Sequence, residues 1–112
     1  MAEEFVRTVG EMLKVVAPAF REILTADELV ATTTRVVRQP AGHSILDTAT
    51  WPILTEEDTL TDDVLLEIKT FDYQRGSWMQ GRETAAEMYA RFRDELQDYV
   101  ATGTFGWGQW RP

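Results

Sequence analysis

Val64-Leu65-Leu66-Glu67-Ile68-Lys69-Thr70-Phe71-Asp72-Tyr73 is the stretch that decides the fold. Val64, Leu66 and Ile68 fall on one side of an extended chain, and Glu67 and Lys69 fall on the other. That alternation predicts a half-buried β-strand over 64–73. A strand that buries one face needs a second layer against it. The sequence offers that layer upstream and downstream.

Upstream, Phe5, Val9, Met12, Val16, Phe20 and Ile23 recur in steps of three and four, which predicts a helix over 3–24. Pro18 interrupts it by removing a donor and crowding the preceding turn, so one kinked helix or two nearly collinear ones are expected. Thr25-Ala26-Asp27-Glu28 has the form of a capping box and could start a short helical turn. Downstream, Ala85, Met88, Tyr89, Phe92, Leu96, Tyr99 and Val100 mark the buried face of a second long helix over 82–101, with Gly103 as its stop.

Two further strands complete the sheet. The β-branched run Thr32-Thr33-Thr34-Arg35-Val36-Val37 suits one. The other is Ile45 to Trp51, in which Ile45, Asp47, Ala49 and Trp51 would share a side and Trp51-Pro52 would end the strand. Thr55 to Asp63 reads as an acidic loop and Arg75 to Gly81 as a second loop. The expected fold class is α+β: two long helices packed on a small, mostly antiparallel three-stranded sheet. Residues 1–112 make a single globular domain, and 104–112 form an aromatic C-terminal tail. Phe105, Trp107 and Trp110 of that tail are expected to fold back onto the core.

Composition narrows the function. A chain of 112 residues holds one core, and its 44% apolar and 27% charged content is that of a folding protein. There is no cysteine, which excludes disulfides, thiolate zinc sites and cysteine nucleophiles. Met1-Ala2-Glu3-Glu4 is acidic where a secretory signal is basic, and no run is apolar enough to span a bilayer. A cytoplasmic protein with no membrane contact is therefore expected. Nine of the eleven basic residues are Arg, a usage that suits a bacterial source.

The net charge of −8 is concentrated in one place. Residues 40–63 hold six acids and no Lys or Arg, while the stretches on either side are nearly balanced. Any single-sign field arises there. Within it, Glu56, Glu57, Asp58, Asp62 and Asp63 are the candidate partner-binding residues. Their spacing lacks the alternating oxygen ligands and central glycine of an EF-hand loop. The competing account is a solvated loop whose Asp and Thr side chains cap neighbouring structure. His43, the only histidine, lies in a turn beside Ser44 with no third group to orient it, so no catalytic role is assigned to it.

Glu67-Ile68-Lys69 resembles the E-x-K of the PD-(D/E)xK nuclease superfamily, with Asp47 as the upstream acid. That resemblance implies a helix, three strands and a helix. Its two carboxylates would hold a divalent metal, and the lysine would help position the attacking water. The competing reading is a cross-strand ion pair on the solvated face of the sheet. A protein of charge −8 is also ill-suited to approach a polyanion. In size and charge alone the chain resembles small bacterial immunity proteins, antitoxins and nucleic-acid mimics. The leading expectation is a non-catalytic acidic binding protein, of inhibitor or immunity type, with no cofactor and no metal. It would dock on a protein partner with a basic surface and not on nucleic acid. The nuclease and a structural subunit of a homo-oligomer are the alternatives.

Overall fold

Thr8 and Glu11 set the start of the first helix. The Thr8 side chain accepts from the Glu11 N–H at 3.2 Å, and Glu11 accepts in return from the Arg7 N–H at 2.9 Å. In the computed structural model, which describes residues 4–41 and 45–103 apart from the side chains of residues 45–47, helix α1 runs Val9–Ile23. It passes through Pro18 as one unbroken helix. Its buried residues are Val9, Met12, Val16, Ala19 and Ile23, so the apolar phase holds on both sides of the proline. The expected start at residue 3 is too early. Residues before Thr8 are extended, which turns Val6 inward and leaves Phe5 48% exposed. Period-two geometry replaces the helical period there, and Phe5 leaves the core.

Thr25 and Glu28 form the expected capping box and open a five-residue helix, α2, over Ala26–Val30. Strand β1 follows at Thr32–Arg38. The expected strand over 45–51 is absent: Ile45–Thr50 is a 3-10 helix. The decisive stretch 64–73 divides into strand β2, Val64–Thr70, and the opening of strand β3, Tyr73–Trp78. Phe71, with φ at 53°, makes the turn between them. Half of the expected loop 75–81 is thus strand. The second long helix, α3, spans Ala85–Thr102, with its own capping box at Thr84 and Glu87.

The sheet is antiparallel throughout, in the order β1-β2-β3. One face carries Val64, Leu66 and Ile68 together with Val36, and α1 and α3 contribute Met12, Val16, Phe92, Leu96 and Tyr99 to the same core. Phe20 and Phe92 meet across the two helices with ring centroids 5.3 Å apart. The opposite face is covered as well. Val37, Leu65 and Trp51 form a second small core there, and Trp51 lies 6.1 Å from the Trp78 ring. The Trp51 Nε1 has no hydrogen-bond partner among the described residues, so apolar packing alone holds the ring in place. Burial on both faces is why β2 is covered along nearly its whole length.

Among the described residues no helix is long and apolar enough to cross a membrane. The aromatic tail 104–112 and the His43–Ser44 turn lie outside the described residues.

Candidate functional site

The acidic segment is built onto the start of α1. Its backbone takes up orphan donors of that helix: the Val9 N–H donates to Asp58 O at 2.9 Å and the Gly10 N–H to Glu56 O at 2.9 Å. A third bond, from the Leu60 N–H to Arg7 O at 2.8 Å, fixes the far side of the loop. A Cβ at Gly10 would lie 3.1 Å from both Glu56 Cβ and Glu56 O, so glycine permits the close approach. Residues 56–58 therefore stand at the positive end of a helix, where carboxylates are favoured.

The five acids then divide by role. Asp58 accepts from the Thr55 N–H at 2.7 Å and closes the turn it belongs to. Asp62 accepts from the Gly81 N–H at 2.7 Å and joins the loop to the segment after β3. Asp63 accepts from Thr61 and lies 3.5 Å from the Arg38 guanidinium. Three of the candidates thus hold local structure, as the capping account expects. Glu56 and Glu57 are exposed, with no bonded side-chain partner among the described residues.

Glu67 occupies a different environment from the expected solvated face. It is 5% exposed. Its Oε1 accepts from Arg35 Nε at 3.0 Å and from Arg35 Nη2. Its Oε2 accepts from Gln74 Nε2 at 2.7 Å and from Thr48 Oγ1 at 3.2 Å. Arg35 in turn donates to the Thr48 carbonyl at 3.0 Å. The cross-strand ion pair exists, but the partner is Arg35 of β1, which stands opposite Glu67 in the ladder. Lys69 is exposed at the polar end of the same face, where it shares a shallow cleft with Thr33 and Gln74. The Thr48 contact brings the backbone next to Asp47 over β2, while the Asp47 side chain lies outside the described residues.

A metal at Glu67 would have to displace a guanidinium from a buried carboxylate whose lone pairs are already engaged. Among the described residues no group of three or more His, Cys, Asp or Glu is placed to hold a metal ion. The sequence reading missed Arg35, because its pairing with Glu67 depends on long-range strand register. The Glu83–Arg91 pair is hidden for another reason: Glu83 precedes the helix start and lies eight residues from Arg91, so it matches no i,i+4 spacing. That pair has bonds of 2.7 and 2.8 Å and is extended by Glu95, which bonds Ser77 of β3. The hydrogen bond from Arg91 to Glu83 is the main cause raising the arginine above its ordinary value.

The chain matches no protein-family model, no curated protein and no solved structure.

Proposed function

We propose that the protein is a non-catalytic acidic binding protein, of inhibitor or immunity type, that docks its 55–63 edge on the basic surface of a protein partner. The observation that carries this reading is the pair Glu56 and Glu57. They are exposed and unpartnered among the described residues, on a loop whose backbone is tied to α1. Charges held in this way are preorganised, so little ordering entropy opposes their use in a complex. The surrounding segment 40–63 has no Lys or Arg to cancel their field. A field of this kind steers encounter and selects against acidic partners.

Affinity capture from native extract at low salt identifies the partner. Kinetics with Glu56→Gln, Glu57→Gln, Asp58→Asn, Asp62→Asn and Asp63→Asn combined then test the steering. The amides keep acceptors for Thr55 and Gly81, so the fold is expected to persist. Association at low salt should slow by about tenfold or more, and its salt dependence should flatten. Unchanged association would discard the reading.

The metal-dependent nuclease remains the second reading. One observation favours it: Thr48 brings the 47–48 backbone to Glu67, with Lys69 on the same face of β2. It requires Glu67 to give up Arg35.

A further inference from the structure

The two edges of the sheet are finished differently. Outside β1, the Leu54 N–H donates to Val36 O at 2.8 Å and the Arg38 N–H donates to Pro52 O at 3.1 Å. The C-terminal half of that edge is therefore covered by the chain itself. Outside β3 nothing comparable exists among the described residues. The bond from the Met79 N–H to Val64 O, at 2.9 Å, marks residues 64 and 79 as a hydrogen-bonded pair. Pairs alternate along an antiparallel ladder, so Ser77, Arg75 and Tyr73 also turn their backbone groups toward β2. Gln74, Gly76 and Trp78 turn theirs outward. The Trp78 carbonyl accepts from Arg91 Nη1 at 3.3 Å. The outward groups of Gln74 and Gly76 have no partner among the described residues.

A row of open donors and acceptors is a template for another strand. We propose that the free edge of β3 takes up an extended segment of a protein partner as a fourth strand, and that this segment alternates basic and apolar residues. The proposal deepens the reading of a basic protein partner and rests on it. Side chains of an added strand fall alternately on the two faces of the sheet. Those opposite Arg75 and Ser77 enter the cleft between β3 and α3, beside Asp94, Glu95 and Asp98. These three carboxylates face one guanidinium in the cleft, that of Arg75, while Arg91 beside it is shared between Glu95 and Glu83. This excess favours Lys or Arg.

Side chains opposite Gln74, Gly76 and Trp78 fall on the other face. Leu65 fills the space over Gly76 there, its Cδ1 2.8 Å from where a Cβ would stand, so that strip is apolar. Trp78, 36% exposed, offers an aromatic wall beside it. Apolar residues fit this side. The edge is also continuous with the acidic loop, since Asp62 holds the Gly81 N–H and lines a cleft with Trp78. Charge decides between a basic segment and a second copy of the chain: two bodies of −8 repel each other, whereas a basic strand is drawn in.

The test uses the full chain and a ten-residue peptide alternating Lys and Val, with a Glu and Val peptide as control. The basic peptide should bind saturably and the acidic one should not. Amide exchange by NMR should slow at least about tenfold at Gln74 and Gly76 on saturation. Gln74→Pro removes one outward N–H without breaking the ladder to β2. Gln74→Ala loses the same side-chain bond to Glu67 and keeps that N–H. Peptide affinity should fall about tenfold or more in Gln74→Pro relative to Gln74→Ala. Absent binding, unprotected Gln74 and Gly76 amides, or equal affinity of the two variants would overturn the proposal. A dimer in sedimentation that Gln74→Pro dissociates would make a second copy the occupant and overturn it too. Should Gln74→Pro not fold, the exchange measurement decides alone. The loop-neutralised protein separates the two readings: with steering lost it should still protect both amides at saturation.

Discussion

Glu67 stands opposite Arg35 in the β1–β2 ladder, and its carboxylate serves three side chains. Desolvating a carboxylate is costly unless its lone pairs are satisfied, and here they are. Glu67→Gln keeps the shape and loses the charge-assisted bonds to a guanidinium that is itself one-third exposed. The expected cost is about 1–3 kcal/mol, read as a lower urea midpoint. Magnesium should not change the stability of the unmodified protein beyond a general ionic effect. Saturable stabilisation that vanishes in Glu67→Gln and in Asp47→Asn would place the nuclease first. The sequence shows that Glu67 and Lys69 share a face, because alternation is local. It hides Arg35, 32 residues upstream, because only the register of two distant strands brings that residue opposite.

The elements that the sequence concealed are those whose side chains carry little apolar signal. Tyr73–Trp78 has Gln74, Arg75 and Gly76 at its centre, so it has neither β-branched enrichment nor clean alternation, yet β2 needs a neighbour on that side. Over Ile45–Thr50 the alternation was misleading. Thr48 reaches Glu67 and Trp51 packs on Leu65, both on the same face of the sheet. Residues three apart face alike in a 3-10 turn and oppositely in a strand. For α3 the start was legible but placed too early: Thr84-Ala85-Ala86-Glu87 is a capping box, with bonds of 3.0 and 3.2 Å. Backbone pairing also ties this start to the N-terminal segment, from the Val6 N–H to Glu83 O at 2.9 Å. Thr84→Ala should cost about 1 kcal/mol, and Thr84→Ser much less. A thermal melt of each variant checks this, and equal melting of the two would show the hydroxyl to be idle.

At the scale of the whole molecule, acids paired across elements make stability depend on pH. Glu22 on α1 accepts from Tyr89 and, at 3.1 Å, from Arg93, both on α3, which clamps the two helices outside their shared core. The Tyr89 hydroxyl, followed by the Arg93 hydrogen bond, holds the Glu22 carboxyl below its ordinary value of 4.5. The backbone N–H of Thr84 does the same, first among its causes, for Glu87. A carboxyl lowered on folding stabilises the protein above its unfolded value, and that contribution is lost as pH falls through the folded value. The bond to Glu22 raises Tyr89, and burial raises Tyr99, above the ordinary 10.0. Their stabilisation is complete below that value and is lost as pH rises through the folded values. Stability should therefore fall at both ends, and the acid limb is the one a single substitution can isolate. Glu22→Gln cannot ionise, so it should unfold earlier than the unmodified protein at pH 7. That difference should shrink as the pH falls from 4.5 through the lower folded value of Glu22, because past it both proteins carry a neutral group at the clamp. Urea midpoints of the two proteins at pH 7 and in acid measure it directly. A difference that stays constant across that range would show that the ionised Glu22 contributes nothing to holding α1 against α3.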